Sequence, residues 1–238
     1  MTDNFVYVGT ELELFALAAN WKSYWKQKVQ RFILGDVLEI GAGVGGTTKI
    51  LHDGRQKIWL CLEPDSRLAA KLSEAIAAKP CAPDATVVVG YITDLVDDLR
   101  FDTIVYVDVL EHIEDDRREL RLAADRLRPG GHIVILCPAH QFLFSPFDRA
   151  IGHFRRYNKS MYRSLTPTGL SLVKLIYLDS VGMLLSLANR AILRSAMPTQ
   201  KQILFWDRWI IPCSRRLDKI LCGKLGKSVL GVWQKSPE

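Results

Sequence analysis

Five apolar runs lie at intervals through residues 36–138: "DVLEIG", "KIWLCLEPD", "ATVVVG", "FDTIVYVDVL" and "HIVILCP". Most of their positions are Val, Ile, Leu or another large apolar residue. A strand on a half-solvated sheet alternates polar with apolar, whereas these runs do not, so they read as strands buried on both faces. Helical segments separate most of them, among them "GTTKILHD", "RLAAKLSEAIAA" and "DDRRELRLAADRL". Strands joined by helical crossovers form a parallel sheet with helices on both sides, and the strand–helix order here is doubly wound. Pro80 and Pro83 should end the second helix, and Pro129-Gly130-Gly131 the third. Further on, "LVKLIYL" (172–178) and "KSVLGVWQK" (227–235) read as two more strands, with about fifty residues inserted between them.

The first run ends in "EIGAGVGG", where Gly41, Gly43 and Gly46 spell G-x-G-x-x-G. Glycines let a loop turn sharply and let a ligand approach the backbone. The following helix aims its N-terminus at whatever the loop holds. Glu63, at the end of the second run, can accept both hydroxyls of a ribose. These features suit any adenosine-bearing ligand, including a dinucleotide. Glu39 separates the candidates: a carboxylate two residues before Gly41 would repel a pyrophosphate. It would attract a ligand carrying ammonium and sulfonium groups, as S-adenosylmethionine (SAM) does.

Taken together, "VLEIGAGVGGTT", "LCLEPD", "FDTIVYVDVLEHIEDD" and "LRPGGHIVIL" resemble the successive motifs of class I SAM-dependent methyltransferases, over residues 35–140. The resemblance implies an α/β, Rossmann-like seven-stranded sheet whose last two strands form an antiparallel hairpin. It implies SAM as cofactor. Glu39, Gly41 and Gly43 would line the methionine end, Glu63 the ribose, Tyr91 and Ile92 the adenine, and Val107 and Asp108 the methionine group again. Tyr91 stands where many relatives carry an acid.

Methyl transfer from a sulfonium needs alignment of acceptor and methyl, with a base only where the acceptor must lose a proton. The segment "HQFLFSPFDRAIGHFRRY" (140–157) follows the fifth strand and should overhang the carboxyl edge of the sheet. His140 and His153 are the candidate bases. Arg155 and Arg156 could fork onto an anionic acceptor, with Tyr157 and His112 as further substrate contacts. The cysteines form no C-x-x-C pair, and no metal site is expected. No Asn-Pro-Pro-Tyr-type motif of base or amide methylation is present.

The "NWKSYW" and "GHFRRY" segments further resemble a subgroup found in bacterial polysaccharide and lipid-linked glycan pathways. The expected reaction is therefore transfer of a methyl group to an O or N acceptor on a small-molecule or lipid-linked substrate, whether anionic or neutral. Methylation of RNA or DNA and non-catalytic SAM binding are the alternatives; no nucleic-acid module is recognisable, and a nicotinamide oxidoreductase ranks last.

Residues 10–31 read as one helix, with Leu14, Leu17, Trp21, Trp25 and Val29 along a single stripe and Thr10–Glu13 as its capping box. One domain over 1–238 is expected, with an N-terminal helical cap (1–34) and a helical insertion (180–226) before the last strand. Charge is uneven: residues 1–148 carry a net −6 and residues 149–238 a net +12. In the insertion Trp206, Trp209, Ile210 and Ile211 stand beside Arg208, Arg215 and Arg216, which suits a membrane surface, a helical cap packed on the sheet or a dimer face. The N-terminal sequence lacks a basic, then apolar, leader and no run is long enough to span a bilayer, so a cytoplasmic protein, peripheral to the inner membrane face, is expected. Five scattered cysteines fit reduced, mostly buried thiols.

Overall fold

The computed structural model describes residues 6–9, 12–78, 85–192 and 198–237. Its centre is a seven-stranded sheet of order β3-β2-β1-β4-β5-β7-β6. The strands are β1 (Val37–Ile40), β2 (Trp59–Glu63), β3 (Ala85–Val89), β4 (Phe101–Val107), β5 (Leu127–Pro138), β6 (Leu170–Leu178) and β7 (Ser228–Lys235). β1 to β5 are parallel, and β7 runs antiparallel to both β5 and β6. This is the expected doubly wound sheet with its terminal hairpin. The chain leaves β1 towards β2 and β3, then returns to β4 on the other flank. The crevice beyond the carboxyl ends of β1 and β4 is therefore the switch point, where ligands bind in open α/β sheets.

The sheet separates two apolar layers. One holds Leu38, Ile40, Tyr106, Ile135, Tyr162 and Trp233. The other holds Val37, Trp59, Val105, Leu136, Trp21 and Trp25. Successive strand residues face opposite layers, so Glu39 shares the face of Val37 and interrupts an otherwise apolar surface. Helices α3 (Thr48–Leu51), α4 (Ser66–Ala78) and α5 (Asp116–Asp125) connect the parallel strands. The expected stop at Pro129-Gly130-Gly131 is instead the first part of β5, which starts at Leu127; a register shift between Phe101 and Thr103 absorbs the extra residues. Pro80, Pro83 and Cys81 lie outside the described residues.

The stretch read as one helix is two, α1 (Leu12–Ala16) and α2 (Ala19–Val29). Asp207 supplies the reason. Its carboxylate accepts the backbone N–H groups of Asn20 (3.1 Å) and Trp21 (2.8 Å) and the Asn20 side-chain amide (3.1 Å). These are donors that a helix start leaves unsatisfied, so the long-range cap begins a new helix at Ala19. Leu17, placed on the apolar stripe by periodicity, falls at the break and is exposed. Thr10 lies outside the described residues.

Short helices α6 (Pro146–Ala150) and α7 (Lys159–Ser164) follow β5. Between β6 and β7 run α8 (Ser180–Ile192), α9 (Gln200–Phe205), a π-helical turn (Trp206–Ile210) and α10 (Ile211–Ile220). Pro212, just inside α10, has no N–H to give the preceding turn, and the chain widens into the π turn there. Buried carboxylates tie these helices down. Asp218 accepts the Tyr24 hydroxyl (2.8 Å) and the N–H groups of Asp179 (2.7 Å) and Ser180 (3.1 Å). Asp179 accepts the Trp206 indole N–H (2.8 Å) and the Ser214 hydroxyl. Trp206 and Ile211 are thus in the core, whereas Trp209 and Phe205 are exposed. Of the described cysteines, Cys61 and Cys137 are buried and Cys213 and Cys222 are exposed.

Candidate functional site

The glycine loop leaves β1 with Gly41, Gly43 and Gly45 at positive φ (64°, 56° and 79°). At Gly41 an added Cβ would lie 2.6 Å from Val109, so the loop and the segment after β4 meet without room for a side chain. Gly46, the third glycine of the sequence pattern, has ordinary φ; Gly45 takes the left-handed conformation in its place.

Glu39 is buried. Its Oε2 accepts the Thr48 hydroxyl (2.7 Å) and the Trp59 indole N–H (2.8 Å). Its Oε1 has no hydrogen-bond partner. Burial, only partly offset by these bonds, pushes the Glu39 carboxyl up to about 7. A buried acid with one bare oxygen gains from a cation that approaches through the loop. Glu63, also buried, accepts the N–H of Gly43 (2.8 Å) and of Asp65 (2.9 Å), and burial raises its pKa. It therefore fixes the loop's shape, with lone pairs remaining for hydroxyl donors.

Across the switch point, Asp108 ends β4 with φ 55°, a conformation uncommon for a non-glycine residue, and its N–H donates to Leu136 (2.8 Å). Val107 is half-buried beside it. Beyond β3, Tyr91 is exposed and its N–H donates to Asp94 (2.7 Å). An acid thus serves this turn from three residues further along. The Ile92 side chain is packed in the core.

Residues 110–112 form a 3-10 turn after β4 and bring Glu111 and His112 against His153, which follows α6. The His112 and His153 rings meet edge to face at 4.5 Å. Burial, reinforced by His153, lowers His112 to about 4. Asp148, fully buried, lies 2.9 Å from Nδ1 of His153 and also accepts Nε and a terminal nitrogen of Arg156 (2.7 and 2.9 Å). Burial opposes ionisation of Asp148, but these bonds hold it well below the usual carboxylate range. As an ionised acceptor, it orients the His153 ring through Nδ1 and leaves Nε2 facing Glu111. Neither carboxylate oxygen of Glu111 has a bonding partner. Tyr7 links this centre to the segment after β2: its ring packs on His112 (5.5 Å), and its N–H donates to Asp65 (2.8 Å).

Other expected contacts are engaged internally. Arg156 is forked onto Asp148. Arg155 donates to the carbonyls of Ile113 (3.0 Å) and Glu114 (2.7 Å) and pairs with Asp116 (2.9 Å). The two arginines expected as an anion clamp both pair with acids of their own fold. Tyr157 is buried with its hydroxyl on Leu110 and Asp116, so it is a packing residue. His140 has Nε2 on the Gly226 carbonyl (3.1 Å) and stacks on Phe142. Sequence reasoning missed Thr48, Trp59 and Asp148. Asp148 had a local reading, as the capping-box partner of Ser145, which hid its bond to His153.

A family model described as "Methyltransferase domain" matches residues 17–175. No curated protein sequence matches the chain at a significant level. Among solved structures, a Galdieria sulphuraria protein named as a candidate sarcosine dimethylglycine methyltransferase is 19% identical, with TM-score 0.61, covering 91% of this chain and 84% of its own. A SAM-dependent methyltransferase from Clostridium acetobutylicum is 10% identical, with TM-score 0.59 and 95% coverage of both chains. N-methyltransferase NodS from Bradyrhizobium japonicum, solved with S-adenosyl-L-homocysteine, is 16% identical, with TM-score 0.56, covering 91% and 85%. At these identities the likeness to solved structures is one of fold. The match over residues 17–175, on a seven-stranded sheet of this order, establishes that the chain belongs to the methyltransferase-domain family and is a SAM-dependent methyltransferase.

Proposed function

We propose that the cleft between β1 and β4 holds SAM and passes its methyl group to an O or N acceptor at the His112–His153–Glu111 centre. The observation that carries this reading is Glu39: a buried carboxylate at the glycine loop with one oxygen bare. In this reading Glu39, Gly41 and Gly43 receive the ammonium end of the cofactor. Glu63 accepts the ribose hydroxyls, the turn at Tyr91 and Ile92 borders adenine, and Val107 and Asp108 close the methionine side. Asp108 and Glu111 are neighbours in one short segment, so cofactor and acceptor would meet there. The acceptor supplies the lone pair and the sulfonium the leaving group; the protein aligns them and excludes water.

The acceptor is a small or lipid-linked molecule. Two features favour a lipid-linked one. Leu184, Leu185, Phe205 and Trp209 expose apolar surface on α8, α9 and the π turn, and the Arg208 guanidinium lies 5.5 Å from the Trp209 ring. Such a face suits contact with a headgroup region. No helix among the described residues is long and apolar enough to cross a membrane. The resemblance of "NWKSYW" and "GHFRRY" to glycan-pathway methyltransferases points the same way.

Calorimetry with SAM tests the cofactor site. Binding is expected in the wild type and weakened binding in Glu63→Ala; equal affinity in both would remove Glu63 from the site. Incubating a cell extract with the protein and methyl-labelled SAM, followed by mass spectrometry, identifies the acceptor. Label confined to nucleic acid would overturn the small-molecule reading.

A further inference from the structure

Glu111, His112 and His153 each offer a ligand atom, and these atoms all lie within 4.8 Å of one another. From this geometry we infer that the three side chains form a binding site for a divalent first-row transition-metal ion, which holds an acceptor oxygen for methyl transfer. The sequence hid such a site because its donors come from two segments far apart in the chain. The 3-10 turn after β4 and the stretch after α6 are joined by a bond from the Phe154 N–H to the Glu111 carbonyl (2.8 Å).

Three independent features point to an ion. First, Glu111 is fully buried, yet neither oxygen has a hydrogen-bond partner, and Oε1 lies 3.9 Å from Nε2 of His153. An isolated buried carboxylate is expensive unless paired or bound to a metal. Two arginines that follow His153 in the chain are engaged elsewhere, Arg156 on Asp148 and Arg155 on Asp116. Second, Asp148 grips Nδ1 of His153, the carboxylate–histidine arrangement that orients an imidazole and leaves Nε2 for a metal. Third, two imidazoles and one carboxylate are ligands that Mn²⁺, Co²⁺ and Zn²⁺ accept, with coordination positions left open. Donors about 2.1 Å from an ion are at most about 4.2 Å apart, so the triad closes on one with small side-chain movements.

The chemistry rests on the methyltransferase reading above. An acceptor hydroxyl bound at an open position becomes more acidic and releases its proton to solvent. Its oxygen then forms the O–CH₃ bond as the S–CH₃ bond breaks. The electron pair of that bond returns to sulfur, giving S-adenosylhomocysteine and the methyl ether. While the ion is bound, the Nε2 lone pair of His153 is a metal bond, and the ion takes over the activation for which a histidine base was expected. The site therefore selects an oxygen acceptor, a hydroxyl or a pair of adjacent hydroxyls.

Chelator-treated protein titrated with Co²⁺, Mn²⁺ or Zn²⁺ alone tests the site, by calorimetry and, for Co²⁺, by its visible absorption. One ion per chain is expected. Glu111→Gln and His112→Ala should abolish the Co²⁺ band, and Asp148→Asn should weaken binding by about 10–100-fold. His132→Gln, outside the site, should bind as wild type. Circular dichroism confirms which variants are folded. Should a variant not fold, diethyl pyrocarbonate modification of the wild type replaces it, with metal expected to protect His112 and His153. Absence of binding by all three ions to the wild type, or unchanged binding in folded Glu111→Gln and His112→Ala, would overturn the proposal. SAM calorimetry on the same metal-free protein separates the two readings. Retained SAM binding without metal binding removes only the metal site, whereas loss of SAM binding removes the cofactor site assigned above.

Discussion

The Trp59 indole N–H donates to Oε2 of Glu39 at 2.8 Å, from β2 to the neighbouring β1, so that a tryptophan of the core holds the carboxylate at the mouth of the glycine loop. Together with the Thr48 hydroxyl it fixes one oxygen, while the other has no partner and, in the proposed function, faces the cofactor. In that reading the carboxylate is oriented before the cofactor arrives, which lowers the ordering cost of binding.

A pH prediction follows from that carboxyl, whose pKa rises from an ordinary 4.5 to about 7 on folding. The native state holds the proton more tightly than the unfolded chain. The contribution is therefore fully present below about 4.5 and is lost as pH rises through about 7. At pH 8 the ionised, ligand-free Glu39 disfavours the fold by roughly 3 kcal/mol, at 1.36 kcal/mol per pKa unit. Glu39→Gln should be more stable than wild type in urea at pH 8, and the gap should narrow towards pH 5. SAM affinity in the variant should fall by roughly 10–100-fold, the worth of one charge-assisted bond. An equal gap at both pH values would refute this account.

Glu63→Ala should weaken SAM binding by roughly 2–4 kcal/mol through two lost charge-assisted hydrogen bonds that are not fully additive. The same carboxylate bonds the N–H groups of Gly43 and Asp65, so the variant should also lose about 1–3 kcal/mol of stability. Calorimetry and chemical denaturation read the two effects separately.

Arg156→Ala should act on stability before it acts on acceptor affinity. Removing the guanidinium leaves Asp148 buried with one fewer cation, a loss of about 3–5 kcal/mol for a broken buried pair. Combining it with Asp148→Asn should recover part of that loss. Wild-type stability of Arg156→Ala with weakened acceptor binding would restore the anion clamp first expected from the sequence.

Asp207→Ala should detach the start of α2 from the π turn. Three bonds to a buried carboxylate are lost, and roughly 2–4 kcal/mol of stability with them. SAM affinity of the folded variant should stay close to wild type, since none of these groups borders the glycine loop. A folded Asp207→Ala with wild-type melting would show that packing alone positions α2.

The sequence by itself determined the sheet and where the glycine loop, Glu39 and Glu63 fall on it. Apolar runs broken by helical crossovers allow few arrangements, and Glu39, the glycines and Glu63 occupy consecutive strand ends whose spacing is local. Their positions follow once β1 and β2 are neighbours. What only tertiary structure decided is which polar groups have partners. Arg155, Arg156 and Tyr157 look like substrate contacts in the chain, but Asp116 and Asp148 claim them once the segment after β5 folds back on the turn after β4. The break between α1 and α2 is set by Asp207, 187 residues from Asn20. The Glu111–His112–His153 cluster joins two segments that no periodicity relates. Hydrogen-bond and ion-pair partners are chosen by proximity in space, within a few ångströms, and a linear pattern carries that information only where the partners are also close in sequence.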